Sequence, residues 1–206
     1  MKLRFLLLLL CTFACPLRLA AAGTLLIVGD SLSAAYGMPV DQGWVSLLQQ
    51  RLATENPGAT LVNASISGDT TAGARARLPE TITRHRPDIV ILQLGGNDGL
   101  RGLSLEAMKD NLAAMISTAR AHAARVLLIG VQLPPNYGPR YTGRFDAIYR
   151  ELAAETGVAL LPSLVAGIGT EHELMQADGI HPNHDAQARM AARVYEYLLP
   201  LLEQGP

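Results

Sequence analysis

Short aliphatic runs alternate with amphipathic stretches along nearly the whole chain. Five runs stand out: TLLIV at 24–28, ATLVNA at 59–64, DIVILQL at 88–94, RVLLIGV at 125–131 and VALLP at 158–162. Each is short, rich in β-branched or aliphatic residues, and lacks strict two-residue alternation. That is the pattern of strands covered on both faces. Between them, apolar residues recur at three- and four-residue spacing. Leu105, Met108, Leu112, Ile116 and Ala119 share one side of a helix predicted over 104–122, with Lys109, Asp110 and Arg120 elsewhere on its wheel. Trp44, Leu47, Leu48 and Leu52 predict a helix over 43–55. Phe145, Ile148, Tyr149 and Leu152 predict one over 143–156, closed by Gly157 as its C-cap. A last helix runs from about 183 to 203.

Five such βα units imply an α/β three-layer sandwich: a five-stranded parallel sheet, helices on both faces, and right-handed crossovers. No linker, repeat or low-complexity tract interrupts residues 23–206, which are expected to form one domain burying about 70% of its unfolded surface. In such folds ligands sit outside the carboxyl ends of the strands.

The first 22 residues do not fit this alternation. Lys2 and Arg4 precede the uncharged block Phe5 to Cys15, and the small-residue run Ala20-Ala21-Ala22-Gly23 follows. That order is the one of a cleavable secretory signal peptide, and the block is too short to span a bilayer. A periplasmic or secreted protein without a stable membrane anchor is expected. Cleavage would remove both cysteines, Cys11 and Cys15, and with them cysteine catalysis and cysteine metal sites. It would also take three of the 17 basic residues and none of the 18 acids, leaving a net charge of −4. Nothing in that balance points to nucleic acid.

The strand ends carry the candidate chemistry. Gly29-Asp30-Ser31 closes the first run, Gly68 follows the second, and Gly95-Gly96-Asn97-Asp98 follows the third. Asp178 and His181 follow the fifth after a long loop. A serine hydroxyl is a weak nucleophile until a base removes its proton. An imidazole titrating near neutrality suits that task, and a carboxylate on its other nitrogen fixes tautomer and orientation. The three-residue spacing of Asp178 and His181 allows that pairing in a tight turn, and Pro182 keeps His181 out of helical torsions. The N–H groups of Ser31 and Gly68 and the Asn97 amide are available to an oxyanion.

Gly29-Asp30-Ser31-Leu32-Ser33, Gly68, Gly95-Gly96-Asn97-Asp98 and Asp178-Gly179-Ile180-His181 resemble, in order, the four blocks of the GDSL or SGNH hydrolases. The resemblance spans residues 23–206. The segments GDSLSAAYGM, LPPNYGPRY and DGIHPN are most similar to the periplasmic multifunctional thioesterase, protease and lysophospholipase group with its arylesterases. It implies a flavodoxin-like strand order, Ser31 as nucleophile, His181 as base, Asp178 as its partner, and Ser31, Gly68 and Asn97 as the oxyanion hole. It also implies arylesters, acyl-CoA-type thioesters and lysophospholipids as substrates, with no cofactor. A monomer is expected.

Each residue alone has a plainer reading. Serine is favoured at helix N-caps, glycine in turns, and Asn-Asp in turns. Asp30 and Asp98 read as acceptors for loop N–H groups. His85, His122, His172 and His184 read as surface histidines, and no HExxH pattern suggests a metal. Leu100, Leu133, Pro134 and Tyr137, in loops after strands three and four, are candidates for holding an acyl chain. Arg101, Arg140 and Arg144 are candidates for a phosphate-bearing leaving group. Carbohydrate acetylesterases use the same four blocks and are the rival within enzymes. A non-catalytic ligand-binding module on the same frame is the rival outside them.

Overall fold

A computed structural model describes residues 23–204. The leader expected over 1–22, with Cys11 and Cys15, lies outside the described residues. Five strands, β1 (Thr24–Gly29), β2 (Thr60–Asn63), β3 (Ile89–Gln93), β4 (Arg125–Ile129) and β5 (Ala159–Leu161), form one sheet in the order β2-β1-β3-β4-β5. Every pairing is parallel. This is the flavodoxin-like order, whose switch point falls between β1 and β3.

Successive residues of each strand face opposite layers. Leu26, Val28, Val90, Leu92, Val126 and Leu128 pack towards α2 (Thr71–His85), α4 (Leu105–Ala121) and α5 (Pro139–Thr156). Leu25, Ile27, Ile89, Ile91, Leu127 and Ile129 pack towards α1 (Trp44–Glu55) and α6 (His184–Glu203). The three central strands are thus buried on both sides. The edge strand β2 is not: its four residues are half-buried or exposed. The run at 59–64 reads like a central strand because Leu61 and Val62 each pack against one of the two core layers, but β2 has a neighbour on one side only, and Thr60 and Asn63 are exposed.

Two helices had no range assigned from the pattern, although five βα units call for one after the second strand. The first, α2, buries only Thr71, Ala74, Leu78 and Ile82, and it carries Pro79 in its interior. Pro79 is exposed, so the bond its missing N–H cannot make lies on the solvent side. Its start is fixed by polar bonds instead. The Thr70 hydroxyl accepts the Gly73 N–H at 3.3 Å, and the buried Asp98 carboxylate accepts both the N–H and the hydroxyl of Thr71, at 2.9 and 2.6 Å. The second, α3 (Gly96–Leu100), makes the GGND block a short helix instead of a turn. Gly95 at its N-cap has φ +113°, and a Cβ there would lie 2.3 Å from the Tyr149 hydroxyl, which donates to Leu94 O. Only glycine fits. Among the described residues no helix is long and apolar enough to cross a membrane.

Candidate active site

At the carboxyl end of β1 the chain leaves the sheet in a series of turns over 31–37, and the first helical turn, a short 3-10 helix at Val40–Gln42, begins only nine residues after Ser31. Ser31 is therefore not a helix N-cap. Its loop is built around Asp30, whose carbonyl accepts the N–H groups of Ser33 and Ala34 and whose carboxylate accepts the Leu32 N–H at 3.1 Å. The same Asp30 oxygen accepts the Gln93 amide at 3.1 Å, while Gln93 Oε1 accepts the Ser33 hydroxyl at 2.6 Å. Asn63 at the end of β2 donates to Ser33 O, and the indole of Trp44 donates to Leu32 O at 2.9 Å. Neighbouring strands and α1 thus hold the two residues after Ser31. Burial pushes the Asp30 carboxyl up to about 6, against the lowering effect of the Leu32 N–H, the Gln93 amide and, at longer range, His181.

The loop after β5 brings a histidine to the same serine. Gly179, with φ +67°, turns the chain so that the N–H groups of Ile180 and His181 both donate to Asp178 Oδ1, at 2.9 and 3.0 Å. The other oxygen, Asp178 Oδ2, lies 2.7 Å from His181 Nδ1, and His181 Nε2 lies 2.9 Å from Ser31 Oγ. An ionised carboxylate can only accept, so Nδ1 carries the proton and Nε2 is free to receive one from the serine. Burial raises the Asp178 carboxyl, but the His181 N–H, the imidazole and the Ile180 N–H lower it further, leaving it below the usual carboxylate range. It is ionised at neutral pH. The Tyr36 ring lies against the His181 ring, centroids 4.5 Å apart.

The oxyanion donors expected from the sequence come from two more loops. Gly68, with φ +81°, sits in the loop before α2. Arg77 pins that loop, with two bonds to Asp69 at 2.8 and 2.9 Å and one to Ala64 O at 2.6 Å. Asn97 lies in the first turn of α3. Its Nδ2 donates to Asp69 O at 3.0 Å and its Oδ1 accepts from Arg101 at 3.4 Å, while Arg101 also bonds Gly68 O at 2.9 Å. These contacts fix the amide's orientation and leave one Nδ2–H uncommitted. The N–H groups of Ser31 and Gly68 have no acceptor among the described residues.

The residues suggested for an acyl chain are spread across two environments. Leu133 is buried against Gly99 within the core, so it supports the rim from beneath. Leu100 packs partly against that core, Pro134 is half-buried, and Tyr137 is exposed, its hydroxyl donating to Leu100 O. Arg140 and Arg144 are exposed on α5. Three contributors went unnoticed in the sequence: Gln93, Gln176 and Tyr36. A single polar residue inside the buried run DIVILQL was a usable signal for Gln93, since such a group must find partners. No group of three His, Cys, Asp or Glu side chains among the described residues converges as a metal site. A groove bordered by Arg125, Val126, Val158 and Pro200 lies at the amino ends of β4 and β5, away from Ser31.

Residues 27–189 match the GDSL-like lipase/acylhydrolase family. The chain belongs to that family. It is 54% identical over 183 residues to the esterase TesA of Pseudomonas aeruginosa, covering 89% of this chain and 91% of the relative. It is 44% identical over 200 residues to the thioesterase 1/protease 1/lysophospholipase L1 of Escherichia coli, covering 97% and 93%. The crystal structure of the psychrotrophic esterase EstA from Pseudoalteromonas, inhibited by monoethylphosphonate, superposes with a TM-score of 0.84 at 39% identity, covering 88% of this chain and 99% of that one. This GDSL hydrolase is accordingly a serine ester hydrolase.

Proposed function

We propose that this hydrolase cleaves medium-chain acyl esters and thioesters through an acyl-serine intermediate on Ser31. The observation that carries the reading is the continuous contact from Ser31 Oγ through His181 to Asp178, at 2.9 and 2.7 Å, beside the switch point of the sheet. His181 Nε2 takes the hydroxyl proton as Ser31 Oγ bonds to the acyl carbon. The carbonyl π electrons move onto oxygen, where the N–H groups of Ser31 and Gly68 and the Asn97 amide receive the charge. Collapse of that intermediate expels the alkoxide or thiolate, which takes the proton back from His181. Water then attacks the acyl-enzyme, losing its proton to His181, and as the acid is released the Ser31 Oγ leaves the acyl carbon and takes that proton back from His181. Asp178 keeps the imidazole in the required tautomer and offsets its charge.

Arylesters, acyl-CoA-type thioesters and lysophospholipids are the proposed substrates, in keeping with the names of the relatives. Support comes from the segments that follow the carboxyl ends of the strands: Tyr36, Val40, Ile66, Leu103, Tyr137 and Ile180 are all exposed there, whereas Tyr197 on α6 is the other large exposed apolar side chain among the described residues. Leu100, Pro134 and Tyr137 would flank the chain, with Leu133 supporting them. Residues 1–22 are read as a leader removed on export, and 23–206 as one monomeric domain working outside the cytoplasm.

A panel of p-nitrophenyl esters from C2 to C16 tests this, run with the parent, Ser31→Ala and His181→Ala. Turnover with an optimum between C6 and C12, abolished in both variants, is expected. An optimum at C2 would contradict the acyl-chain assignment and favour a carbohydrate acetylesterase. Undiminished turnover in Ser31→Ala would remove the mechanism.

A further inference from the structure

The nucleophile and the base belong to loops from opposite sides of the sheet, since β3 and β4 separate β1 from β5. Among the described residues, three hydrogen bonds join segment 30–44 to segment 172–187. One is the Ser31–His181 contact itself. Another runs from the Trp44 N–H to the buried Gln187 carbonyl at 3.0 Å and joins the start of α1 to α6. The third is made by Gln176, and it falls at the loops that carry the chemistry.

Gln176 Nε2 donates to Tyr36 O at 2.8 Å and to Pro182 O at 3.1 Å. Both acceptors are carbonyls, so the amide can face them only with its NH₂ group, and both of its hydrogens are used. Its backbone N–H donates to the carbonyl of His181 at 2.7 Å, and its carbonyl accepts the Gly179 N–H at 2.9 Å. One residue therefore grips the histidine's own peptide on one side and the nucleophile loop on the other. The grip is close. A Cβ on Gly37 would lie 2.3 Å from Gln176 Oε1, and Gly37 has φ +75°, so this site on the nucleophile loop has room for no side chain. The same clamp brings the Tyr36 ring against the His181 ring.

We propose that Gln176 is a positioning residue that holds the imidazole of His181 in register with the Ser31 hydroxyl. This rests on the triad reading above. Its contribution is to orientation: an active-site displacement of about 1 Å can cost on the order of 100-fold in rate, and loosening one of several ties should cost roughly tenfold. Ester binding, assigned above mainly to Leu100, Pro134 and Tyr137, should be little affected.

Gln176→Met keeps the length of the side chain and removes both donors. Gly37→Ala leaves Gln176 intact and pushes it away from the other loop. Each would be compared with the parent for kcat and KM on a p-nitrophenyl ester, for the rate of labelling by an organophosphonate, and for the final fraction of sites labelled. Both variants should lose about tenfold in kcat and in labelling rate, with KM within about twofold and complete labelling at the end. Parental rates in both would overturn the proposal. So would an unchanged rate per labelled site with fewer sites labelled, which is what a purely structural role produces. A parent that takes no label at Ser31 would instead overturn the triad reading on which the proposal stands. The outcomes for Gln176 and for the triad are thus separate.

Discussion

The body of the sheet and its carboxyl rim meet opposite demands with adjacent residues of the same strands. In β3, Ile89 to Leu92 are at most 1% exposed and aliphatic. The next residue, Gln93, is equally buried but polar, and its amide joins the loop of Ser31 to the strand through Asp30 and Ser33. The body is held by non-directional burial, which tolerates small shifts. The rim is held by directional bonds around a buried carboxyl, which do not. Substitutions in the first should cost stability and spare chemistry, and substitutions in the second should do the reverse.

The largest separation should come from Ser31→Ala, which is expected to lower kcat by roughly four orders of magnitude or more while leaving the melting temperature near the parent's. Steady-state assays with a sensitive thioester substrate, beside calorimetry, would check both halves. Asn97→Ala should lower kcat by about 10²–10³ with little change in KM, as befits a donor used mainly in the transition state. A rise in KM of the same size would instead make Asn97 a substrate contact. In the body, Leu127→Ala should cost about 2–5 kcal/mol of stability, read by denaturant unfolding, with kcat per folded molecule unchanged.

Asp30 and Asp178 provide the smallest and most discriminating contrast, because their carboxyls are shifted in opposite directions. Asp30 is held at about 6 in the fold against about 3.8 in the unfolded chain. The folded state therefore binds the extra proton between those values, so its burden on stability is absent below about pH 4 and complete above about pH 6. At neutral pH this amounts to about 3 kcal/mol at most. Asp30→Asn should remove that trend, so the melting temperatures of parent and variant should diverge in the variant's favour as pH rises from 4 to 6. Asp178, lowered, contributes stability above its unfolded value that is lost as pH falls through its folded one. Asp178→Asn should therefore bring the variant closer to the parent as the pH drops below about 4.

Much of this organisation was legible in the chain. The three central strands were visible because burial on both faces leaves uninterrupted aliphatic runs, and the residues proposed for the chemistry stood out because they lie at strand ends. The helix after the second strand was implied by the βα alternation, but its range was not, because α2 is anchored at its start by Thr70 and Asp98 and carries only a sparse apolar stripe. Its buried residues Thr71, Ala74, Leu78 and Ile82 are mostly small or few. The exposure of β2 was missed because its Leu61 and Val62, one on each face, give it the composition of a short central strand. Gln93 and Gln176 illustrate two grades of difficulty. The first is a polar residue where only apolar ones belong, a local anomaly. The second acts on Tyr36, 140 positions away, through a contact that no local pattern encodes.

The central claim is that Ser31 is activated by His181, and the rate of organophosphonate capture tests it most directly. The account predicts a single adduct mapped to Ser31, formed at least about 10²-fold more slowly in His181→Ala than in the parent. An adduct on another residue, or equal rates in the two proteins, would contradict it.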